Sequence, residues 1–244
     1  MIRAIHSEFV KLRTLRSTWF SLAGVALIGV LSSAFGDVPR GSVDQYGRFG
    51  VLYAALRIAV AVFAVMLVTG EFRNTAVISS ALAVPKRWTF HLAKIVAVAL
   101  YGTMLAVVGS AIAALIMSIR SGSFDIGIFS EVSGASAHSF GSESAPPLLY
   151  FWLIGIGFAV FSGAIAFALR SQPGAIVLAA VGPLFGLFWQ SRWNPFVLAD
   201  AAVFPEGVRV HEQLIDRTSA LWGFWAFVLA VVVISGFVHS RRDI

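Results

Sequence analysis

The sequence predicts an all-α membrane protein of six transmembrane helices, with both termini on the cytosolic side. Three observations carry that prediction. Of the 244 residues, 58% are hydrophobic and only 12% are charged, about half the charged share of a soluble domain. The apolar residues form continuous runs close to the ~20 residues a helix needs to cross the hydrocarbon layer with its backbone paired internally, whereas a barrel would alternate. The basic residues gather in every second connecting segment, as the positive-inside rule requires. There is no cysteine, which excludes disulfides and thiolate metal sites.

Residues 1–17 place Ile2, Ile5, Phe9 and Leu12 at helical spacing, with Arg3, Lys11, Arg13 and Arg16 dispersed around them. That pattern suits an amphipathic helix lying in the cytosolic interface. The alternatives are a basic flank to the first span or a signal peptide. The apolar segment is long for a signal peptide, and no small-residue cleavage site stands near Phe35. Predicted spans follow at 18–35, 49–69, 95–119, 148–169, 171–191 and 218–238. Arg57 interrupts the second. A charge at membrane depth is a functional candidate by default. The simpler reading is a helix that starts later, with Arg57 reaching back to the outer headgroups.

With the N terminus inside, the inner segments carry 11 basic residues against three acidic ones, Glu8, Glu71 and Asp243. The outer segments carry six basic and nine acidic residues. This bias fixes the topology and accounts for the net charge of +6 without nucleic acid. Of the outer connections, 36–48 is short and polar, and 120–147 is rich in Ser and Gly and reads as a loop. Residues 192–217 are more apolar and suit an outer or re-entrant segment. A Gly182-x-x-x-Gly186 spacing permits close helix approach, while Pro183 suggests a kink. All of this makes one transmembrane domain, 1–244.

The segment 70–94, GEFRNTAVISSALAVPKRWTFHLAK, is the substantial polar interruption that also carries excess positive charge. Asn74-Thr75 can cap a short helix over 76–84, Pro85-Lys86-Arg87 turns the chain, and Trp88 with Lys94 anchors the third span at the interface. That helix is too short to span and has no soluble domain of this chain to cover it, so a partner protein is its natural cover.

Intrinsic catalysis is not expected. None of the three lysines follows a glycine, so there is no phosphate-binding loop. His211-Glu212 resembles the start of a zinc-protease motif, but Ile215 stands where the second histidine belongs. Ser136 lacks the second glycine of a nucleophile elbow, and no His, Asp or Glu lies within the predicted spans.

Three pieces of the chain carry a family resemblance: SEFVKLRTLRSTW before the first span, the 70–94 segment, and the ending SRRDI. Together with the six-span layout they resemble the permease subunits of type-2 ABC export systems, the group that includes small bacterial drug-export permeases. Asn74 departs from the family pattern, where Gly is expected before Thr75. The resemblance implies an N-terminal elbow helix with Glu8, Lys11, Arg13 and Arg16, and a coupling helix in the 70–94 loop. Glu71, Phe72, Arg73, Asn74, Thr75, Pro85, Lys86 and Arg87 are then the ATPase-coupling residues. It implies a multi-pass protein of a bacterial cytoplasmic membrane, paired with a second permease chain, identical or related, and docked on two ABC ATPase subunits. ATP and magnesium belong to those subunits, with no cofactor or metal in this chain. The cargo would be hydrophobic or amphipathic: a drug, a lipid or a peptide. A different class, a scaffold or sensor that binds a cytosolic partner through 70–94 without moving anything, competes with it.

Overall fold

The computed structural model describes residues 6–10, 16–34, 43–73, 87–121, 147–182, 194–203, 209–210 and 213–241. Within them the chain is helical apart from a hairpin of two two-residue strands and a few connecting residues. The helices are α1 (6–10), α2 (Arg16–Ala34), α3 (Val43–Arg73), α4 (Arg87–Ser121), α5 (Pro147–Leu169), α6 (Gln172–Val181), α7 (Pro195–Val203) and α8 (Arg217–Arg241). The hairpin strands β1 (Arg209–Val210) and β2 (Gln213–Leu214) pair antiparallel, Arg209 opposite Leu214 and Val210 opposite Gln213.

Four helices are long and apolar enough to cross a membrane, over Tyr53–Gly70 in α3, Trp88–Ile112 in α4, Leu149–Leu169 in α5 and Arg217–Arg241 in α8. They fall on the second, third, fourth and sixth predicted spans. Helix α2, 19 residues long, covers the predicted first span over 18–34. Ten-residue α6 covers the first half of the predicted fifth, whose residues 183–191 lie outside the described residues, as does most of the Gly182–Gly186 motif.

Helix α5 is the axis of the bundle, packing against α3, α4 and α8. Its side chains Ile154, Phe158, Ala159, Ala164 and Phe167 are fully buried. Lipid gives apolar helices no hydrophobic reason to associate, so close van der Waals packing between small residues must hold them. The α4–α5 contact shows this. A Cβ added at Gly102 would stand 2.4 Å from the Cβ of Ala159, and one at Gly155 would lie 3.3 Å from that of Ala106. Trp152 Nε1 donates to Ser110 Oγ across the same pair of helices at 3.1 Å.

Sequence also fixes the helix ends. Pro147 opens α5, where its missing N–H costs nothing. Helix α5 closes at Arg170, whose φ of 53° is the left-handed conformation of a helix terminus; its N–H reaches Ala166 O at 2.9 Å. Asn194 caps α7, its Oδ1 accepting from Phe196 N at 3.0 Å ahead of Pro195 at the first helical position. Asp216 caps α8, its carboxylate accepting from Ser219 N at 3.0 Å and Ser219 Oγ at 3.1 Å.

Those bonds, chiefly the one from the Ser219 amide, hold the Asp216 carboxyl below its ordinary value of 3.8. A depressed carboxyl pKa adds stability that is complete above 3.8 and disappears as pH falls through the lower folded value. Asp216 is exposed, so solvent screens the effect. Asp216→Ala should cost about 1 kcal/mol or less at neutral pH. Thermal unfolding in detergent should show that difference shrinking as pH is lowered below 3.8.

Candidate functional site

Two polar centres stand within the apolar bundle, the first buried and the second part-buried. One lies at the end where α3 closes and α4 opens, the end predicted to be cytosolic. The other lies nearer the opposite end of α3.

At the first centre, the Lys94 ammonium on α4 pairs with the Glu8 carboxylate on α1. The side chains are only 2% and 7% exposed, so both charges are withdrawn from solvent, an arrangement tolerated only when they meet. Helix α1 is thereby fastened to the first two turns of α4. Of the predicted apolar face, Phe9 is 56% exposed on a surface that can meet lipid, and Glu8 beside it turns inward; Ile2, Ile5 and Leu12 lie outside the described residues. Glu8 lies three residues after Ile5 and four before Leu12, so in the helix the sequence predicts over 1–17 it would share their stripe. That spacing was the available signal for a buried carboxylate.

Beside this pair the sequence expectation of spans without titratable groups fails. Helix α4 begins at Arg87 and α8 runs to Arg241, so His91 and His239 lie inside the bundle, both buried. Their rings stack at 6.2 Å between centroids, and Phe167 of α5 meets each edge-on, at 4.8 Å and 5.3 Å. His91 Nε2 stands 3.2 Å from Val232 O and 3.3 Å from Ser235 Oγ. A carbonyl oxygen only accepts, so Nε2 carries the proton. Ser235 Oγ donates to Val232 O at 2.9 Å. Its hydroxyl proton is therefore aimed at the helix backbone and not at the histidine, which is the wrong arrangement for a serine nucleophile. Trp88 closes the cluster against α8, where a Cβ at Gly236 would fall 1.8 Å from its ring.

Glu71, Phe72 and Arg73 form the last turn of α3, and Phe72 meets Phe167 edge-on at 5.8 Å. The Arg170 guanidinium lies 5.7 Å from the centre of the Phe72 ring. Arg87 opens α4 and Arg16 opens α2. Asn74, Thr75, Pro85 and Lys86, the predicted helix over 76–84, and Lys11 and Arg13 of the N-terminal segment lie outside the described residues. The structure thus joins Glu8, Phe72, Lys94, Phe167 and the histidine pair at one end of the bundle. Phe72 at the flank of the predicted coupling loop and Glu8 of the predicted elbow belong to that end.

At the second centre, Arg57 NH1 on α3 donates to Asp200 Oδ1 on α7 at 2.9 Å. The guanidinium lies 5.2 Å from the Tyr53 ring centre and 5.3 Å from that of Phe158. This corrects the expectation that the helix starts after Arg57 and lets it reach the headgroups. Helix α3 starts at Val43, and the Arg57 side chain is 12% exposed, held inward by a counter-charge. Asp200 sits in the segment read as outer or re-entrant. No pattern in the sequence pairs it with a residue 143 positions away.

Among the described residues, no group of three or more metal-binding side chains stands together. No protein-family model and no curated protein matches the chain.

Proposed function

We propose that this chain is the membrane-spanning subunit of an ATP-driven ABC exporter of a bacterial cytoplasmic membrane, an all-α bundle of six spans with both termini inside. It pairs with a second permease chain and is driven by two separate ATPase subunits that bind ATP and magnesium. The cargo is hydrophobic or amphipathic, of the drug, lipid or peptide class. The observation that carries the reading is the buried Glu8–Lys94 pair. It fastens the N-terminal segment to the same end of α4 that receives the 74–86 connection.

An ATPase pressing on 74–86 would act on the end of α3 and the start of α4 together. Movement of α4 would carry α1 through Glu8–Lys94 and reach α8 through the buried contact of His91 with Val232 and Ser235. Transport needs two arrangements of the bundle whose balance nucleotide binding shifts, and a linked set of helix ends is what allows one contact to shift it. Glu71, Arg73 and the Asn74–Arg87 connection are the proposed docking residues, and the N-terminal elbow is the lever that follows α4.

Co-purification of the tagged chain in mild detergent, with an ATPase assay, tests this. Wild type should bring down an ABC ATPase, and Glu71→Ala/Arg73→Ala should lose its binding or stimulation. Absence of any associated ATPase removes the motor and favours a scaffold or sensor.

A further inference from the structure

We propose that the Arg57–Asp200 pair is a latch that binds α7 to α3 and must open for α7 to leave the bundle. This rests on the export reading only in assigning the opening to a transport step. Helix α7 is nine residues long, too short to hold its place by itself. Three kinds of contact hold it. Phe196 lies against Phe158 and Phe161 of α5, at 6.2 Å and 5.8 Å between ring centres. Leu198 fills the space over Gly223 of α8, where an added Cβ would come within 2.9 Å of it. Arg217, also on α8, donates to the Ala202 carbonyl at 2.7 Å and to the Val203 carbonyl at 3.5 Å, gripping the helix by its C-terminal oxygens.

All three of those contacts tie α7 to α5 and α8. The link to α3 is of a different kind: the Asp200 carboxylate meets Arg57 in a charge pair at 2.9 Å, with the Tyr53 hydroxyl of the same helix beside it. An apolar contact in lipid can slide or be replaced by an acyl chain at little cost. An ion pair at depth has two states, made or broken, and breaking it exposes two charges to a medium that solvates them poorly. The Asp200 side chain is 34% exposed against 12% for Arg57, so the carboxylate is the side that can withdraw. Helix α3 is continuous for 31 residues from Val43 to Arg73. Arg57 is therefore about 24 Å along the same rod from Arg73, at 1.5 Å per residue. Displacement of the inner end of α3 reaches the latch without passing through a joint.

The chain has no cysteine, so one can be placed at will. Val197, on α7 and 6% exposed, becomes the reporter as Val197→Cys, and the probe is a membrane-impermeant maleimide added from outside. With the pair intact, labelling should be slow. Asp200→Asn should speed it about tenfold or more, the factor that a loss of ~1.4 kcal/mol from the closed state produces. Asp200→Glu, which keeps the charge, should remain near the starting rate. Should Asp200→Asn misfold because Arg57 is left charged, Arg57→Gln/Asp200→Asn removes both charges and should still label fast. Labelling of that double variant at the starting rate would overturn the latch. No ATPase is needed for this readout, so a latch that fails and an export reading that fails are told apart: fast labelling without any associated ATPase preserves the first and sinks the second.

Discussion

Lys94→Met should destabilise the protein by about 3–5 kcal/mol, the range found when one partner of a buried ion pair is removed. The loss comes from the Glu8 carboxylate, 7% exposed, which the variant leaves buried without the ammonium. Replacing both members, Glu8→Leu with Lys94→Met, should cost far less than the two single changes added together, because residues that touch do not contribute independently. Thermal unfolding in detergent reads the stabilities. Limited proteolysis adds a local readout: in Lys94→Met the N-terminal segment should be cut well before the bundle, since α1 is what the pair holds down. Equal stability of Lys94→Met and wild type would show that the contact contributes nothing.

Gly102→Ala should be the second large effect, about 2–3 kcal/mol or somewhat more from overpacking. The new methyl would meet the Cβ of Ala159 at 2.4 Å. Both carbons are fixed to helix backbones, so no rotamer relieves the clash and α4 must move away from α5. Ala159→Gly in the same chain makes room and should recover most of the loss, the sign of direct coupling in a double-mutant cycle. Gly236→Ala is a useful contrast. Its nearest neighbour is the Trp88 ring at 1.8 Å, but that side chain is 41% exposed and can swing aside, so the same chemical change should cost less.

These two sites illustrate what sequence could and could not carry. The four long apolar helices were legible because lipid demands long uncharged runs, and hydropathy alone locates them. The ends at Pro147, Asn194-Pro195 and Asp216 carry chemical marks of a helix start that the reading of the spans by hydropathy did not use. The ends of α4 and α8 were not. His91 and His239 are polar residues that read as leaving the membrane, yet they pack on Phe167 and on each other, and only the arrangement of three helices shows it. Lys94 read as an interface anchor for the same reason. A lysine just ahead of an apolar span gives no hint that a carboxylate 86 residues earlier will meet it. Arg57 was flagged as a charge at depth, but its partner Asp200 lies in a short helix whose placement depends on Phe196, Leu198 and Arg217 together. Gly182–Gly186, the visible glycine spacing, lies mostly outside the described residues, and the α4–α5 approach at Gly102 and Gly155 is one that no short motif distinguishes among 22 glycines.

On the proposed export function, the connection between α3 and α4 is where an ATPase acts on this bundle. The most direct measurement is photo-cross-linking in native membranes from a benzophenone-bearing residue in place of Thr75, followed by identification of the captured protein. Covalent capture of an ABC ATPase subunit, lost when Glu71→Ala and Arg73→Ala are added, is the predicted result. Capture of lipid alone, or of a cytosolic protein with no ATPase activity, would contradict it.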